Sequence, residues 1–516
     1  MDATFGILFT CILIASVTWT VKFLNWVWLR PKKLEKCLRK QGFNGNSYRF
    51  FIGDMKDFIT SMKEERPRSV KLCDDISSHI LPYYYQIIKK FGKSSFVWFG
   101  PSPRLNVTDP ELMKEILTKP GLFQKPHPDP IRDTIVGGLL FLENEKWTKH
   151  RKIINPAFHL EKLKNMVPEI NLSCSNMIDK WEALVSRTEG SFELDVWPSI
   201  EDLTGDVISR TAFGCNFEDG RRIFELQKEE VELVLQLLQF SFIPGWRYLP
   251  IKANRRVKAI SQEIQALLRG IVNKREKAME RGEATADDLL GILMESNFKE
   301  IQEHGNKSGG MSIEEVIEEC KLFYFAGSET TSNLLVWTIV LLSKHQEWQV
   351  RARDEVLQVF GMKTPTFDEL NHLKTVTMIL QEVLRLYPPA PLIIRAPTKP
   401  VKLGNTTLPV GVQLTLLIGL LHYDPKIWGK DVKEFKPQRF SEGIFNATKT
   451  QFCFLPFSAG PRVCIGQNFA MIEAKMAVSM ILQKFSFELS PSYVHAPFPV
   501  MTLQPQLGAS IILQKL

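Results

Sequence analysis

The sequence predicts a mainly α-helical domain with small β-sheets, preceded by one N-terminal membrane-spanning helix. Three observations carry this. An apolar run opens the chain, helical periodicity dominates from Pro110 onward, and the tail from Phe485 to Leu516 alternates like β-structure between prolines. The 516 residues, 44% hydrophobic and 24% charged, suit a large core. No Gly/Ser- or Pro-rich linker divides them after the N-terminus, so one domain is expected.

From Ala3 to Val21 no residue is charged, and beyond Lys22 the apolar run resumes to Leu29. At about 1.5 Å per residue this crosses a hydrocarbon core of about 30 Å. Basic residues follow the run instead of preceding it and no small-residue cleavage site closes it, which favours an anchor over a cleaved signal peptide. Residues 1–30 are expected as the anchor and 31–516 as the folded domain. Lys32, Lys33, Lys36, Arg39 and Lys40 after the span, against Asp2 before it, place the main body in the cytosol.

The eight cysteines are scattered without a CxxC pair, which fits a reducing compartment. The Asn-X-Ser/Thr sites at Asn106, Asn171, Asn306, Asn405 and Asn446 are then expected to stay unused. A net charge of +8 suits an anionic membrane surface or an acidic protein partner. Lys and Arg are dispersed, so no nucleic-acid role follows.

Residues 44–107 mix short β-like runs such as Ser95–Phe99 with turns such as Gly100–Pro103. Trp147 and Arg151 share one face of a helix; alone, they read as a surface cation beside an aromatic. Glu303–Gly310 reads as a loop. Ser312 and Glu315 form a capping-box pattern that opens a helix running to Ser343, on the order of 45 Å long. Ala326-Gly-Ser-Glu-Thr-Thr331 interrupts its apolar pattern, where a Gly costs about 1 kcal/mol. Either the Gly permits close packing and the hydroxyls bond back to i−4 carbonyls, or this is a notch over a cofactor where Glu329 and Thr330 manage protons.

Glu382 and Arg385, three apart on a helix ended by Pro388-Pro389, read alone as a surface ion pair. Pro391–Arg395 reads as a strand, Gly404–Pro409 as a turn into another, and Phe435–Phe440, with Arg439, as irregular. Phe457-Ser-Ala-Gly-Pro-Arg-Val-Cys-Ile-Gly466 puts Cys464 on a tight Gly-flanked loop running into a helical pattern from Asn468. A soft thiolate there suits single-point ligation of a large metal cofactor.

Phe457-x-x-Gly460-x-Arg462-x-Cys464-x-Gly466, Ala326-Gly-x-Glu-Thr-Thr331, Glu382-x-x-Arg385, Phe435-x-Pro-x-Arg439-Phe440 and Trp147-x-x-x-Arg151 together resemble the signature set of the cytochrome P-450 haem-thiolate monooxygenases. Leu24–Lys33, Asn155–Lys164 and Ser490–Pro497 more narrowly resemble plant family 72, subfamily A. The resemblance spans the chain from the anchor to its end. It implies the P-450 fold with haem b as cofactor, and dioxygen and an apolar small molecule as substrates. It also implies electrons from NADPH through NADPH–cytochrome P-450 reductase, and a catalytic domain on the cytosolic face of the endoplasmic reticulum membrane.

Carried residue by residue, the resemblance makes Cys464 the iron ligand, ahead of a helix N-terminus that favours the thiolate. Gly460 and Gly466 would let the backbone approach the sulfur and the haem, with Phe457 shielding them. Arg462, Arg395, Arg151 and Trp147 would face the haem propionates. Glu382, Arg385 and Arg439 would form a buried structural triad, and Thr330 with Glu329 would deliver protons on the distal side.

Gln438 departs from the usual Glu, Ser458-Ala459 from Gly-Trp, and Ser328 from the subfamily's Gln. By the same resemblance the substrate pocket would be lined by Phe123–Leu140, 224–244, Phe323, Phe325, Leu392–Ile394 and Phe498–Thr502. These segments are apolar, and the subfamily's substrates are oleanane triterpenoids, iridoids and gibberellins; an oleanane triterpenoid is the expectation. A haem-thiolate isomerase or dehydratase, and a non-catalytic haem or lipid carrier, are the competing readings. The intact Glu329–Thr330 pair and the uninterrupted cysteine loop argue against the first, and NADPH consumption with reductase present would separate the carrier from an enzyme.

Overall fold

In a computed structural model, the residues described are 2–65, 68–72, 75–127, 135–188, 190–215, 217–282, 288–303, 309–448 and 452–516. Asn306, Cys73 and most of the loop expected at 303–310 fall outside them.

A single helix, Ile313–Lys344, sets the arrangement of the rest. It opens on the expected capping box: Ser312 accepts from the Glu315 amide at 3.2 Å and Glu315 accepts from the Ser312 amide at 3.0 Å. A helix apolar on all sides must be surrounded, and residues 319–324 and 331–343 are indeed buried. Around it pack Val196–Phe213, Phe217–Leu237, Lys252–Glu280, Lys374–Leu386 and Gln467–Lys484. Gly327 allows the closest approach, since a Cβ there would lie 2.7 Å from Ile208.

The strands are β1 (Phe96–Phe99), β2 (Ser102–Val107), β3 (Phe123–Gln124), β4 (Ser191–Asp195), β5 (Ile393–Pro397), β6 (Val401–Leu403), β7 (Thr406–Leu408), β8 (Gln413–Leu416), β9 (Phe485–Leu489), β10 (Pro497–Pro499), β11 (Leu503–Pro505) and β12 (Ser510–Lys515). The largest sheet runs β1-β2-β8-β5-β3, with β2 and β8 parallel and the other pairs antiparallel. It carries its own apolar cluster, which includes Trp98, Phe123 and Leu414. β4-β12-β9 form a second sheet, and β6-β7 and β10-β11 are hairpins.

The N-terminal helix Asp2–Leu24 exposes its apolar side chains, among them Phe5, Ile12 and Val17. The segment Phe5–Lys40 contains a helix long and apolar enough to cross a membrane. At Asn25–Leu29 the helix widens by one residue, the Arg30 amide reaching back to the Asn25 carbonyl. It continues as Arg30–Lys40, whose Pro31, Leu34 and Leu38 are buried in the domain. The Tyr48 hydroxyl donates to the Val27 carbonyl at 2.6 Å, so the widened turn is also a docking point.

Two regions differ from the sequence expectation. The β-like stretch 44–107 also holds the helices Met55–Glu65, Ser77–Ile80 and Pro82–Phe91. The last begins with Pro at its first position, ends with Lys89 and Lys90 and stops at Gly92 with φ 85°, so its end signals outweigh the β-prone tyrosines inside it. Among the long helices, β4 forms only because β12 offers an edge to pair with.

Gly327→Val would drive a branched side chain into Ile208. Thermal unfolding should show a loss of about 1–3 kcal/mol, with Gly327→Ala losing less.

Candidate functional site

The loop ahead of helix Gln467–Lys484 is folded by its own backbone. The Cys464 amide donates to the Phe457 carbonyl at 3.0 Å, Ser458 to Leu455 at 3.1 Å and Val463 to Gly460 at 3.0 Å. Ser458 and Gly460 adopt positive φ, 61° and 72°. A Cβ on Gly460 would lie 2.5 Å from the Leu117 carbonyl, so this glycine is needed for close packing on helix Pro110–Thr118. Gly466 caps the following helix, and a Cβ there would sit 4.0 Å from Cys464 Sγ and 3.9 Å from Phe158, ordinary contact distances.

Cys464 is exposed to solvent, yet burial pushes its thiol up, with the Gly466 amide and the Arg151 charge drawing it back. Accessible and desolvated together mean that the exposed face looks into an interior hollow. The central helix repeats the pattern: Phe325–Thr330 are partly exposed between two buried stretches, and burial raises the Glu329 carboxyl. Phe158 bridges the two, packing 6.1 Å from Phe323 and against Gly466.

Both readings of the mid-helix motif have a physical basis. Gly327 packs against Ile208 and the Thr330 hydroxyl donates to the Ala326 carbonyl at 2.8 Å, while the same residues border the hollow. Glu329 accepts from Thr502, which closes the expected pocket segment Phe498–Thr502, and from Gln504 Nε2, to which the sequence did not point. Ser328 bonds Thr204 at 3.1 Å, tying the helix to its neighbour.

Positive charge collects beside the loop. Arg462 lies over the Trp147 ring at 4.6 Å and pairs with Glu143, but its buried Nη1 has no hydrogen-bond partner among the described residues. Arg395 donates to the Ile394 carbonyl at 2.9 Å; burial and then the Arg462 charge press its pKa down to about 10, and Glu143 offsets only part. Arg151 instead donates to the Val463 carbonyl at 3.1 Å, bracing the loop next to Cys464. Glu143, just before helix Asn144–Ile154, carried no signal in the sequence. Two desolvated guanidiniums against one carboxylate fit an anionic group with two carboxylates of its own.

Behind the loop, Glu382 and Arg385 are wholly buried and pair through two 2.7 Å bonds. Arg385 spends its other donors on the carbonyls of His422, Val432 and Glu434 at 3.0, 2.7 and 3.2 Å. Arg439 reaches Glu382 at 3.4 Å and adds Asp431 at 2.9 Å, so the expected triad is a group of four. The surface reading of this pair is thereby replaced. His422 Nδ1 donates to the Arg385 carbonyl at 3.1 Å and Nε2 accepts from the Leu455 amide at 3.1 Å, two residues ahead of Phe457.

Gln438 is exposed, the buried Ser458 hydroxyl lacks a partner among the described residues, and Ala459 packs beside the sheet cluster. Of the expected pocket lining, Phe325, Leu392, Ile394, Val500 and Met501 are partly exposed. Phe123 is instead buried in the sheet cluster, and 128–134 lie outside the described residues.

A lone thiol facing a hollow beside under-neutralised arginines fits a cofactor that brings its own ring and carboxylates, as in the haem-thiolate proteins. A cytochrome P450 family model matches residues 71–512, and the chain belongs to the cytochrome P450 family. It is 57% identical over 507 residues to cytochrome P450 CYP72A219 of Panax ginseng, covering 98% of each chain. To cytochrome P450 72A397 of Kalopanax septemlobus it is 56% identical over 96% of each. To the 7-deoxyloganic acid hydroxylase of Catharanthus roseus it is 55% identical over 99% of each. The chain is thus a plant P450 monooxygenase that uses haem b on a cysteine thiolate and electrons supplied by a reductase.

His422 is buried neutral, its pKa pressed to about 3 by burial and then by Arg385. Its contribution to stability is complete above the unfolded value of about 6.5 and is lost as pH falls toward 3, because the unfolded chain takes up a proton that the buried ring refuses. The unfolding free energies of wild type and His422→Gln should therefore converge by about 1.4 kcal/mol per pH unit between pH 6 and 4 in denaturant titrations.

Proposed function

We propose that this monooxygenase oxidises a bulky apolar terpenoid, first of all an oleanane-type triterpenoid, with Cys464 as the thiolate that holds haem b. One observation carries Cys464: its thiol faces the interior hollow beside a helix N-terminus and Arg151, both of which favour the ionised form. When bound, the haem supplies dioxygen activation by two electrons, so that one oxygen atom enters the substrate and the other leaves as water.

The chain's own groups do the rest. Arg462 and Arg395 hold the propionates, and Trp147 fixes the Arg462 plane by stacking. Arg151, Phe457, Gly460 and Gly466 keep the loop in shape, while Glu382, Arg385 and Arg439 support it from behind. Thr330 and Glu329 hold and pass protons at the notch. Oxidation is the outcome of excluding water and metering protons, so both groups must be poised but not locked.

Hydrocarbon from Phe325, Leu392, Ile394, Val500 and Met501 supports a bulky apolar guest. The relative named as a 7-deoxyloganic acid hydroxylase favours an iridoid as the second reading. Residues 1–30 act as a single-pass anchor in the endoplasmic reticulum membrane and 31–516 as the cytosolic catalytic domain. The exposed apolar helix and the basic residues that follow it support that placement. NADPH–cytochrome P-450 reductase is the proposed electron donor.

Reduced protein should give the thiolate-type carbon monoxide difference spectrum, and Cys464→Ser should abolish it; a thiolate spectrum that survives Cys464→Ser would overturn the assignment. Microsomes with reductase, offered oleanane triterpenoids and 7-deoxyloganic acid, should yield a hydroxylated product by mass spectrometry, which identifies the substrate class. Thr330→Ala should keep consuming NADPH while product per NADPH falls about tenfold or more and peroxide rises. Unchanged coupling in that variant counts against Thr330.

A further inference from the structure

Residues Glu329, Asn333 and Trp337 recur every fourth position on one face of the central helix, and each is fastened to the β10–β11 hairpin. Trp337 Nε1 donates to the Leu503 carbonyl at 2.7 Å, and the Leu503 amide donates to Pro389 at 3.2 Å. Those bonds already staple the hairpin in place. Asn333 Nδ2 donates to the Thr502 hydroxyl at 3.0 Å, leaving that hydroxyl's proton for Glu329. Gln504 Nε2 donates to the same Glu329 oxygen at 2.5 Å. Two side-chain donors converging on one carboxylate oxygen exceed what a staple needs.

We propose that Thr502 and Gln504 are positioning residues that hold the Glu329 carboxylate and set how readily it exchanges a proton at the notch. Both donors are neutral, so they favour the charged form without a fixed cation that would bar protonation. The other charged groups facing Glu329 are Lys228 on helix Phe217–Leu237 and Glu201 on helix Val196–Phe213, and these two bond each other at 3.4 Å. Burial pushes Glu329 up and has the largest effect, and the bonds from Thr502 and Gln504 are the strongest influences that pull it back. The catalytic consequence rests on the proposed role of Glu329 in proton handling.

The test uses the full-length purified protein. An infrared titration follows the protonated-carboxyl band that Glu329→Gln removes, with no turnover required. Thr502→Val and Gln504→Leu should each raise its midpoint by about one pH unit. Thr502→Ser should restore it, and Trp337→Phe, which loosens the staple alone, should leave it in place. In turnover with reductase, the first two variants should raise the peroxide share at least twofold, Gln504→Leu with KM unchanged. An unmoved midpoint in both, or an equal shift in Trp337→Phe, overturns the proposal. A shifted midpoint in a protein that makes no oxidised product upholds the positioning and overturns the functional reading instead.

Discussion

The buried pair Glu382–Arg385 is the constraint on which the site depends. Removing both charges from water costs several kcal/mol apiece, and attraction alone does not reliably recover it. The pair persists because every remaining guanidinium donor lands on a carbonyl, those of His422, Val432 and Glu434. The ion pair therefore dictates where three loop carbonyls must sit. His422 passes that order on through a neutral ring to the Leu455 amide, and the cysteine loop starts two residues later. Its long-range influence on Cys464 is positional.

That chain of contacts explains how much could be read in advance. Cys464, Arg462, Glu329 and Arg385 lie in spaced motifs, so the sequence singles them out, as it does the capped central helix. Glu143, His422 and Gln504 act through contacts with residues far apart in the chain. No periodicity or spacing marks such contacts, and only the packing of the helices and hairpins creates them. The helix at 82–91 is hidden for a related reason: the β-prone tyrosines inside it obscure the Pro, Lys and Gly at its ends.

A residue can satisfy a motif for more than one reason. Gly460 is required by the carbonyl of Leu117, and Gly327 by Ile208. Arg151 braces the Val463 carbonyl, whereas the excess positive charge lies with Arg462 and Arg395. A motif thus records where the chain is constrained; the constraint itself has to be read from the neighbours.

Two acids face the hollow, and the structure treats them differently. Burial raises both the Cys464 thiol and the Glu329 carboxyl. Cys464 is drawn back by a helix-capping amide and a cation, partners that favour a lasting thiolate, as a metal ligand needs. Glu329 is drawn back mainly by the neutral donors Thr502 and Gln504, with the Lys228 charge partly engaged by Glu201. A neutral donor stabilises the anion by less than a cation at the same distance, so protonation of Glu329 stays within reach. In the roles proposed, permanence on the cysteine side and reversibility on the opposite side follow from the same burial, compensated by different kinds of partner.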